Sequence, residues 1–219
     1  MSDWNGALVR KALLGEISSR LAPHGYVGPK GQSFHRKCPG GRVSFHVAFI
    51  GRALEFDVTA DVAARNDALE ECLNRQNSKP SAAQARDTSS IGAELGRIRG
   101  GGQMRWTVRS IDDVPRVAAA IVQEFEAVGQ PYLDRYSSLE SMLSVLQRND
   151  AEGWLHSPIH LKRCKSAVCA AHLLGRADLV EVLIQSGKEF LRAQKDWGLP
   201  AFLDFAEWIR SVRANAKHG

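Results

Sequence analysis

The chain has 219 residues, of which 44% are hydrophobic and 24% carry a charge. This balance is typical of a globular protein with one large domain or two small ones, and it excludes a disordered or fibrous chain. The formal net charge of +5 permits an acidic partner, but the basic residues are scattered and form no block that would indicate nucleic acid.

The cysteines and the apolar segments bear on the cellular compartment. The 4 cysteines follow no disulfide spacing, which favours reduced thiols in a cytosol. Charged residues interrupt the N-terminal segment, so it lacks the apolar core of a signal peptide. No apolar run approaches the roughly 18 residues that a membrane span needs. We therefore expect a cytoplasmic protein with no membrane partner.

The first third of the chain predicts a helix followed by three strands. Apolar residues at helical spacing place the helix over Ala7 to Leu21. The first strand is expected around Gln32 to Lys37. The other two form an antiparallel hairpin between Val43 and Val62, where apolar and polar side chains alternate on both sides of Gly51. This alternation predicts a sheet with one dry face and one wet face.

A helix over Asn66 to Arg75 is predicted next, and residues 76–102 then change in character. This segment is rich in Ser, Pro and Gly, so we expect a mobile connection with one turn of helix near Ile91 to Ile98. Alternation around Trp106 predicts a fourth strand. The helix after it, capped by Asp112 or Asp113, is expected to run to about Val128, where Gly129 stops it.

The remainder of the chain reads as helical. Ser137 or Ser138 caps one helix, and Ser157-Pro158 opens another that runs to Leu174. A further helix is predicted over Ala177 to about Ala193, weakened by Gly187, and Pro200 opens the last one. We therefore predict an α+β fold: a four-stranded, mainly antiparallel sheet with helices on one face (residues 1–148), followed by a helical unit (149–219).

The wet face of the sheet is the main candidate for a binding surface. Its proposed binding residues are His35, His46, Glu55, Asp57, Arg105 and Arg109. Cross-strand pairing of opposite charges on a solvated face explains these residues without a ligand. The alternative is a recognition surface, or an acid/base site in which His46 lies beside Asp57. The chain contains no nucleophile motif that would accompany such a site.

Other potential sites are weaker. Four possible zinc ligands share one predicted helix, namely His160, Cys164, Cys169 and His172. Helical spacing prevents all four from converging on one ion, and the glycines at 100–102 lack the spacing of a phosphate-binding loop. We therefore expect no metal and no cofactor. Trp154 and Trp197 lie at helix edges, where they could anchor a partner protein.

Short motifs between Leu8 and Leu146 carry a family resemblance. They are Leu21, Gly25-Tyr26, Lys30-Gly31, Phe34, Arg36, Phe45, Phe56, Arg105-Trp106 and Pro131-Tyr132-Leu133. This pattern resembles the DUF4304 family, a group of bacterial proteins defined only as a domain of unknown function. The resemblance implies a small α+β domain without established catalytic residues, of the kind that includes immunity proteins encoded beside bacterial toxins.

Three functional hypotheses follow. The first is a non-catalytic, immunity-like bacterial protein whose partner is another protein. The second is an enzyme with a site between the polar sheet face and the helical unit, using His46 and Asp57. The third is nucleic acid binding through Arg97, Arg99, Arg105 and Arg109.

Overall fold

The computed structural model describes residues 5–51, 54–76 and 88–215. The chain divides into two compact units, each made of two stretches of sequence. The first unit combines Met1–Ala64 with Gly92–Tyr136, and the second combines Arg65–Ile91 with Ser137–Gly219. This grouping differs from the predicted division at residue 148, because two segments from the earlier part of the chain belong with the C-terminal helices.

The first unit contains a six-stranded sheet. After helix α1 (Gly6–Leu21), the strands are β1 (Val27–Lys30), β2 (Ser33–Cys38), β3 (Gly41–Gly51), β4 (Phe56–Asn66), β5 (Ile91–Glu94) and β6 (Trp106–Val108). Strands β1 to β5 follow one another in spatial order, and β6 also pairs with β4. The β1–β2, β2–β3 and β4–β6 pairs are antiparallel.

The α+β class is therefore confirmed, but the sheet has six strands rather than the four predicted. Sequence alternation missed β1 and β5 because each has only 4 residues, too few to show a period. Strand β5 and the short helix α3 (Leu95–Ile98) occupy part of the expected mobile connection. The turn of helix predicted there is present, whereas residues 77–87 lie outside the described residues.

A long helical segment follows β6. A 3-10 turn (Ile111–Asp113) leads into α4 (Val114–Glu124), a π turn (Phe125–Gly129) and α5 (Gln130–Arg135). The prediction that Gly129 stops this helix is wrong, because the backbone there keeps helical angles. Gly129 has a packing role instead. A methyl group at this position would lie 2.8 Å from the Phe125 ring and 3.0 Å from Val62.

The dry face of the sheet forms the core of the first unit. The predicted alternation is confirmed at Val43, Phe45 and Val47 and again at Phe56, Val58, Ala60 and Val62, all of which are buried. Helices α1 and α4 contact each other, and α1 contributes Leu13, Ile17 and Leu21 to the buried set. The ring of Phe45 lies 5.0 Å from that of Phe125, which joins the sheet to the π turn.

The second unit contains helices only, apart from the ends of β4 and β5. They are α2 (Asp67–Gln76), α6 (Leu139–Leu146), α7 (Ala151–His156), α8 (His160–Leu173), α9 (Ala177–Ala193) and α10 (Leu199–Asn215). Helix α8 contacts α2, α6, α9 and α10, and it is buried from Arg163 to Ala171. A helix that is buried on every side is the centre of its unit. Within the part of the chain that the structure describes, no helix is long and apolar enough to cross a membrane.

Candidate functional site

Asp57 lies on the polar face of the sheet but is not solvated. Its side chain is 5% exposed, which corrects the expectation that it faces solvent. Asp57 pairs with Thr107 in the β4–β6 register, and its Oδ1 accepts a hydrogen bond of 2.8 Å from the Thr107 hydroxyl. The other oxygen lies 3.7 Å from Nη1 of Arg105. The carboxylate is therefore held by a hydroxyl and a guanidinium.

Glu55 and Arg109 form a second charge pair at the same edge. Nε of Arg109 donates to Oε2 of Glu55 over 3.1 Å, and the Arg109 side chain is 74% exposed. Asp57 and Glu55 are therefore both paired with an arginine, as expected if the charges of this face pair with one another without a ligand. The Glu55–Arg109 pair, whose arginine is largely exposed, contributes little free energy, roughly 0–1 kcal/mol.

The two histidines lie further along the sheet. In the β2–β3 register, His35 is opposite Ser44 and His46 is opposite Ser33. The Nδ1 atom of His46 and the Ser33 hydroxyl are 2.9 Å apart and share a hydrogen bond.

His46 is placed beside Asp61 rather than Asp57. The Ser44 hydroxyl reaches the Ala63 carbonyl, and antiparallel counting from this contact sets His46 next to Asp61. Asp57 is four residues away along β4, or about 13 Å at strand spacing. Burial raises the pKa of Asp61, while the charge of His46 acts in the opposite direction. The acid/base pair expected from the sequence is therefore not assembled.

Glu94 is a buried acid on this face that sequence reasoning missed. Its Oε1 accepts hydrogen bonds from the Met104 amide (2.9 Å) and the Thr59 hydroxyl (3.4 Å), and its Oε2 accepts one from the Arg97 amide (3.0 Å). Glu94 thereby caps α3 and fixes the glycine-rich loop after it. The signal that could have identified it is an acid immediately before a helical turn.

The polar face thus resembles a structural network more than a reactive site. Asp57 and Glu94 are buried and already accept two or more contacts each. Arg99 forms a bidentate pair with Glu124, at 2.7 Å for each contact. The contacts of Asp57 and Glu94 stabilise the sheet and the loop after α3. The Arg99–Glu124 pair joins the end of α3 to α4. Binding a ligand would require these groups to give up their partners.

A cavity in the second unit has a different character. It has a volume of about 350 Å³ and lies against α2, α8 and the turn between α9 and α10. Its lining includes Leu73, Ile159, Leu161 and Trp197. Trp197 is 89% exposed and Ile159 is 65% exposed. We refer to this feature as the Trp197 cavity. Of the six residues proposed from the sequence, none belongs to its lining, whereas Trp197 was singled out as an anchor.

Charged groups also line the Trp197 cavity. Glu70 is 2% exposed, accepts a 3.0 Å hydrogen bond from Ser90 and lies 3.7 Å from Nζ of Lys162. Asp196 accepts a 2.8 Å hydrogen bond from the Gly198 amide and pairs with Nδ1 of His160 at 3.3 Å. Both acids therefore have partners within the unit.

Two lysines supply positive charge to the same cavity. Lys162 is 31% exposed. Lys165 is buried, and its ammonium lies 5.3 Å from the centre of the Phe205 ring. Burial lowers the pKa of Lys165.

The cysteines of α8 lie inside the second unit. Burial raises the pKa of Cys164 to about 11, so its thiol is not poised as a nucleophile. Cys169 has its sulfur 2.7 Å from that of Cys72 on α2, and both are free thiols. Among the described residues, no three His, Cys, Asp or Glu side chains converge in a way that could hold a metal ion.

A scan of this chain against known protein families finds no match, and searches among curated proteins and among solved structures find none either. The resemblance to the DUF4304 family therefore stays a prediction that rests on the residues quoted above.

Proposed function

We propose that the protein is a non-catalytic binding module, and that it holds a segment of a partner protein in the Trp197 cavity. The observation that carries this proposal is the exposure of Trp197 (89%) and Ile159 (65%) at a concave, largely apolar surface. Large apolar side chains that stay exposed beside a cavity are typical of protein interaction sites.

Burial of Trp197 by a partner would contribute a large part of the free energy of binding. Covering roughly 200 Å² of indole surface at ~25 cal/mol per Å² contributes about 5 kcal/mol before the entropic cost of association. Tryptophan is also among the residues that most often dominate an interface. A single anchor of this kind, with Ile159 beside it, supports a binding site that is built around one or two apolar side chains of the partner.

The charges of the lining narrow the chemistry of the partner. Glu70 and Asp196 are engaged inside the unit. Lys162 lies 3.7 Å from Glu70 and donates to the Ser89 carbonyl, but its side chain is 31% exposed, so a carboxylate of the partner can approach it. Lys165 adds a second positive charge to the lining. We therefore infer that the bound segment carries an aliphatic or aromatic side chain with a carboxylate close to it in sequence.

The two alternative functions have less support. An enzyme on the polar sheet face would need His46 and Asp57 together, but His46 neighbours Asp61, and Thr107 and Arg105 hold Asp57. Nucleic acid binding would need unpaired basic groups, yet Arg99, Arg105 and Arg109 each pair with an acid.

A peptide-display experiment tests the proposal. A library of random peptides is selected on the full chain, and affinities of the selected peptides are measured for the wild type, Trp197→Ala and Trp154→Ala. Trp154 is the matched control because it is also exposed (47%) but lines a different cavity. We expect peptides with an apolar residue next to an acid, and at least a tenfold loss of affinity with W197A only.

Two results would count against the proposal. Equal losses of affinity with W197A and W154A would indicate that exposed tryptophans of this chain bind peptides non-specifically. A selected peptide that binds equally well after its carboxylate is converted to an amide would remove the role given to the lysines.

The immunity-like role is a narrower form of the same proposal, in which the partner is a toxin. It rests on the family resemblance and is tested with the product of a neighbouring gene. If that product arrests growth, co-expression of the wild-type chain should restore growth, and W197A should fail to do so. A neighbouring product without toxicity would argue against this narrower role and leave the peptide experiment unaffected.

A further inference from the structure

Arg163 is a buried cation without an ion-pair partner in the part of the chain that the structure describes. It lies on the central helix α8 and is 1% exposed. One of its five N–H donors, on Nη1, reaches the Ser157 carbonyl over 2.7 Å. Its Nε is buried and has no hydrogen-bond partner among the described residues. A buried guanidinium normally has a carboxylate or several acceptors around it, since an unpaired buried charge is costly.

The groups that pack around Arg163 do not neutralise it. The ring of Phe190 lies 5.2 Å from its guanidinium carbon, a contact that stabilises a cation without accepting its hydrogen bonds. Asp150 is the acid whose field acts on Arg163, but its oxygens already accept from the Arg148 guanidinium and the Gly153 amide. Cys164, next along the helix, is a protonated thiol at neutral pH.

Arg163 lines a cavity of about 290 Å³ that is separate from the Trp197 cavity. Further lining residues bring groups that suit a small polar ligand, namely the amides of Asn149 and Gln194, the imidazole of His160 and the half-exposed indole of Trp154. The lining also holds one acid, Asp150, whose carboxylate is paired with the guanidinium of Arg148. Nδ1 of His160 pairs with Asp196, which orients the ring at the boundary of the cavity. The volume limits a ligand to about the size of a small metabolite, near the lower end for ligand sites.

We propose that this cavity is a binding site for a small oxyanion, a carboxylate or a phosphate group, which the buried guanidinium of Arg163 holds. The planar fork of an arginine matches both groups, and an anion would supply the acceptors that Nε and the remaining donors lack. The amide of Gln194 can add a hydrogen bond, and Trp154 can cover an apolar part of the ligand.

Calorimetric titration of the full chain tests this inference. Inorganic phosphate and succinate serve as the two probes, against sodium chloride at equal ionic strength. We expect saturable binding of at least one probe, with a dissociation constant of ~1 mM or tighter. Comparing the two isotherms shows which oxyanion the site prefers.

Two variants locate the binding. Arg163→Lys keeps the charge but loses the fork, and it should weaken binding at least tenfold. Arg176→Lys is the matched control, because Arg176 is an exposed arginine of the same unit that pairs with Asp178 and lies outside the cavity lining. It should bind like the wild type. If R163K does not fold, as judged by circular dichroism, Gln194→Ala takes its place and should weaken binding at least threefold.

Three outcomes would overturn the inference. The first is a wild-type chain that binds neither phosphate nor succinate in a saturable way. The second is R163K, or Q194A in its place, binding as tightly as the wild type. The third is R176K losing as much affinity as the cavity variant, which would mean that the anion follows the general surface charge. None of these outcomes depends on Trp197, so they are distinct from failure of the proposed protein-binding function.

Discussion

Gly187 gives a sharp test of the packing in the second unit. It lies inside helix α9, where the sequence alone predicts a weak point, because glycine is a poor helix former. In the structure, a methyl group at this position would lie 2.6 Å from Cζ of Phe202 and 3.3 Å from Cβ of Cys164. Phe202 is fully buried, so its ring has little room to withdraw. Gly187 is therefore a contact point between helices.

The structure predicts that Gly187→Ala lowers the free energy of unfolding. Replacing glycine by alanine in a helix normally stabilises it by about 0.8–1 kcal/mol, whereas overpacking a core costs roughly 1–3 kcal/mol. The net expectation is a loss of about 1 kcal/mol in the free energy of unfolding. Gly15, inside α1, is the matched control because it is exposed and a methyl group there would meet nothing within 4 Å. Gly15→Ala should therefore raise the free energy of unfolding by close to the full value of about 0.8–1 kcal/mol.

Urea unfolding followed by far-UV circular dichroism measures both changes. Each variant is compared with the wild type in the transition of the unit that carries it. We expect the two changes in unfolding free energy to have opposite signs and to differ by about 2 kcal/mol. A G187A variant that is as stabilised as G15A would refute the close packing of α9 against Phe202.

Two further predictions concern buried titratable groups. Because burial raises the pKa of Asp61 in the folded state, the stability associated with it is greatest at low pH and falls as pH rises through that pKa. The melting temperature of Asp61→Asn, relative to that of the wild type, should therefore rise from acidic to neutral pH. A difference in melting temperature that does not change with pH would contradict this. The thiols of Cys72 and Cys169, with sulfurs 2.7 Å apart, should form a disulfide under diamide, seen by mass spectrometry as the loss of two hydrogen atoms and absent in Cys72→Ser. Persistence of that mass loss in C72S would identify a different pair.

The hairpin between Val43 and Val62 shows what a local pattern can and cannot predict. Alternation identified the dry face correctly because side chains on a strand point to opposite sides in turn. It failed at Asp57 and Thr59, which belong to the polar side and yet are 3% and 5% exposed. The period of a strand decides which face a residue takes, but it carries no information about what covers that face.

The same distinction applies to the candidate sites. Charge pairing of Glu55 and Asp57 with arginines of the predicted fourth strand was among the interpretations of the sheet, and it is present. The partner expected for His46 is wrong, because His46 lies beside Asp61 rather than Asp57. Trp197 was recognised as a potential anchor from its place at a helix edge. Its cavity could not be predicted, because the lining comes from helices that are far apart in sequence.

The sequence by itself determined the class of the fold, the dry side of the sheet and most of the helices, including the one over Ala177–Ala193. These features depend on neighbours within a few positions, where periodicity and capping residues act. Tertiary structure alone decided which groups meet: Glu94 with the Met104 amide, Cys72 with Cys169 over 97 residues of chain, and Arg163 with the ring of Phe190. Contacts of this kind depend on how the elements pack, and composition and local spacing do not encode them.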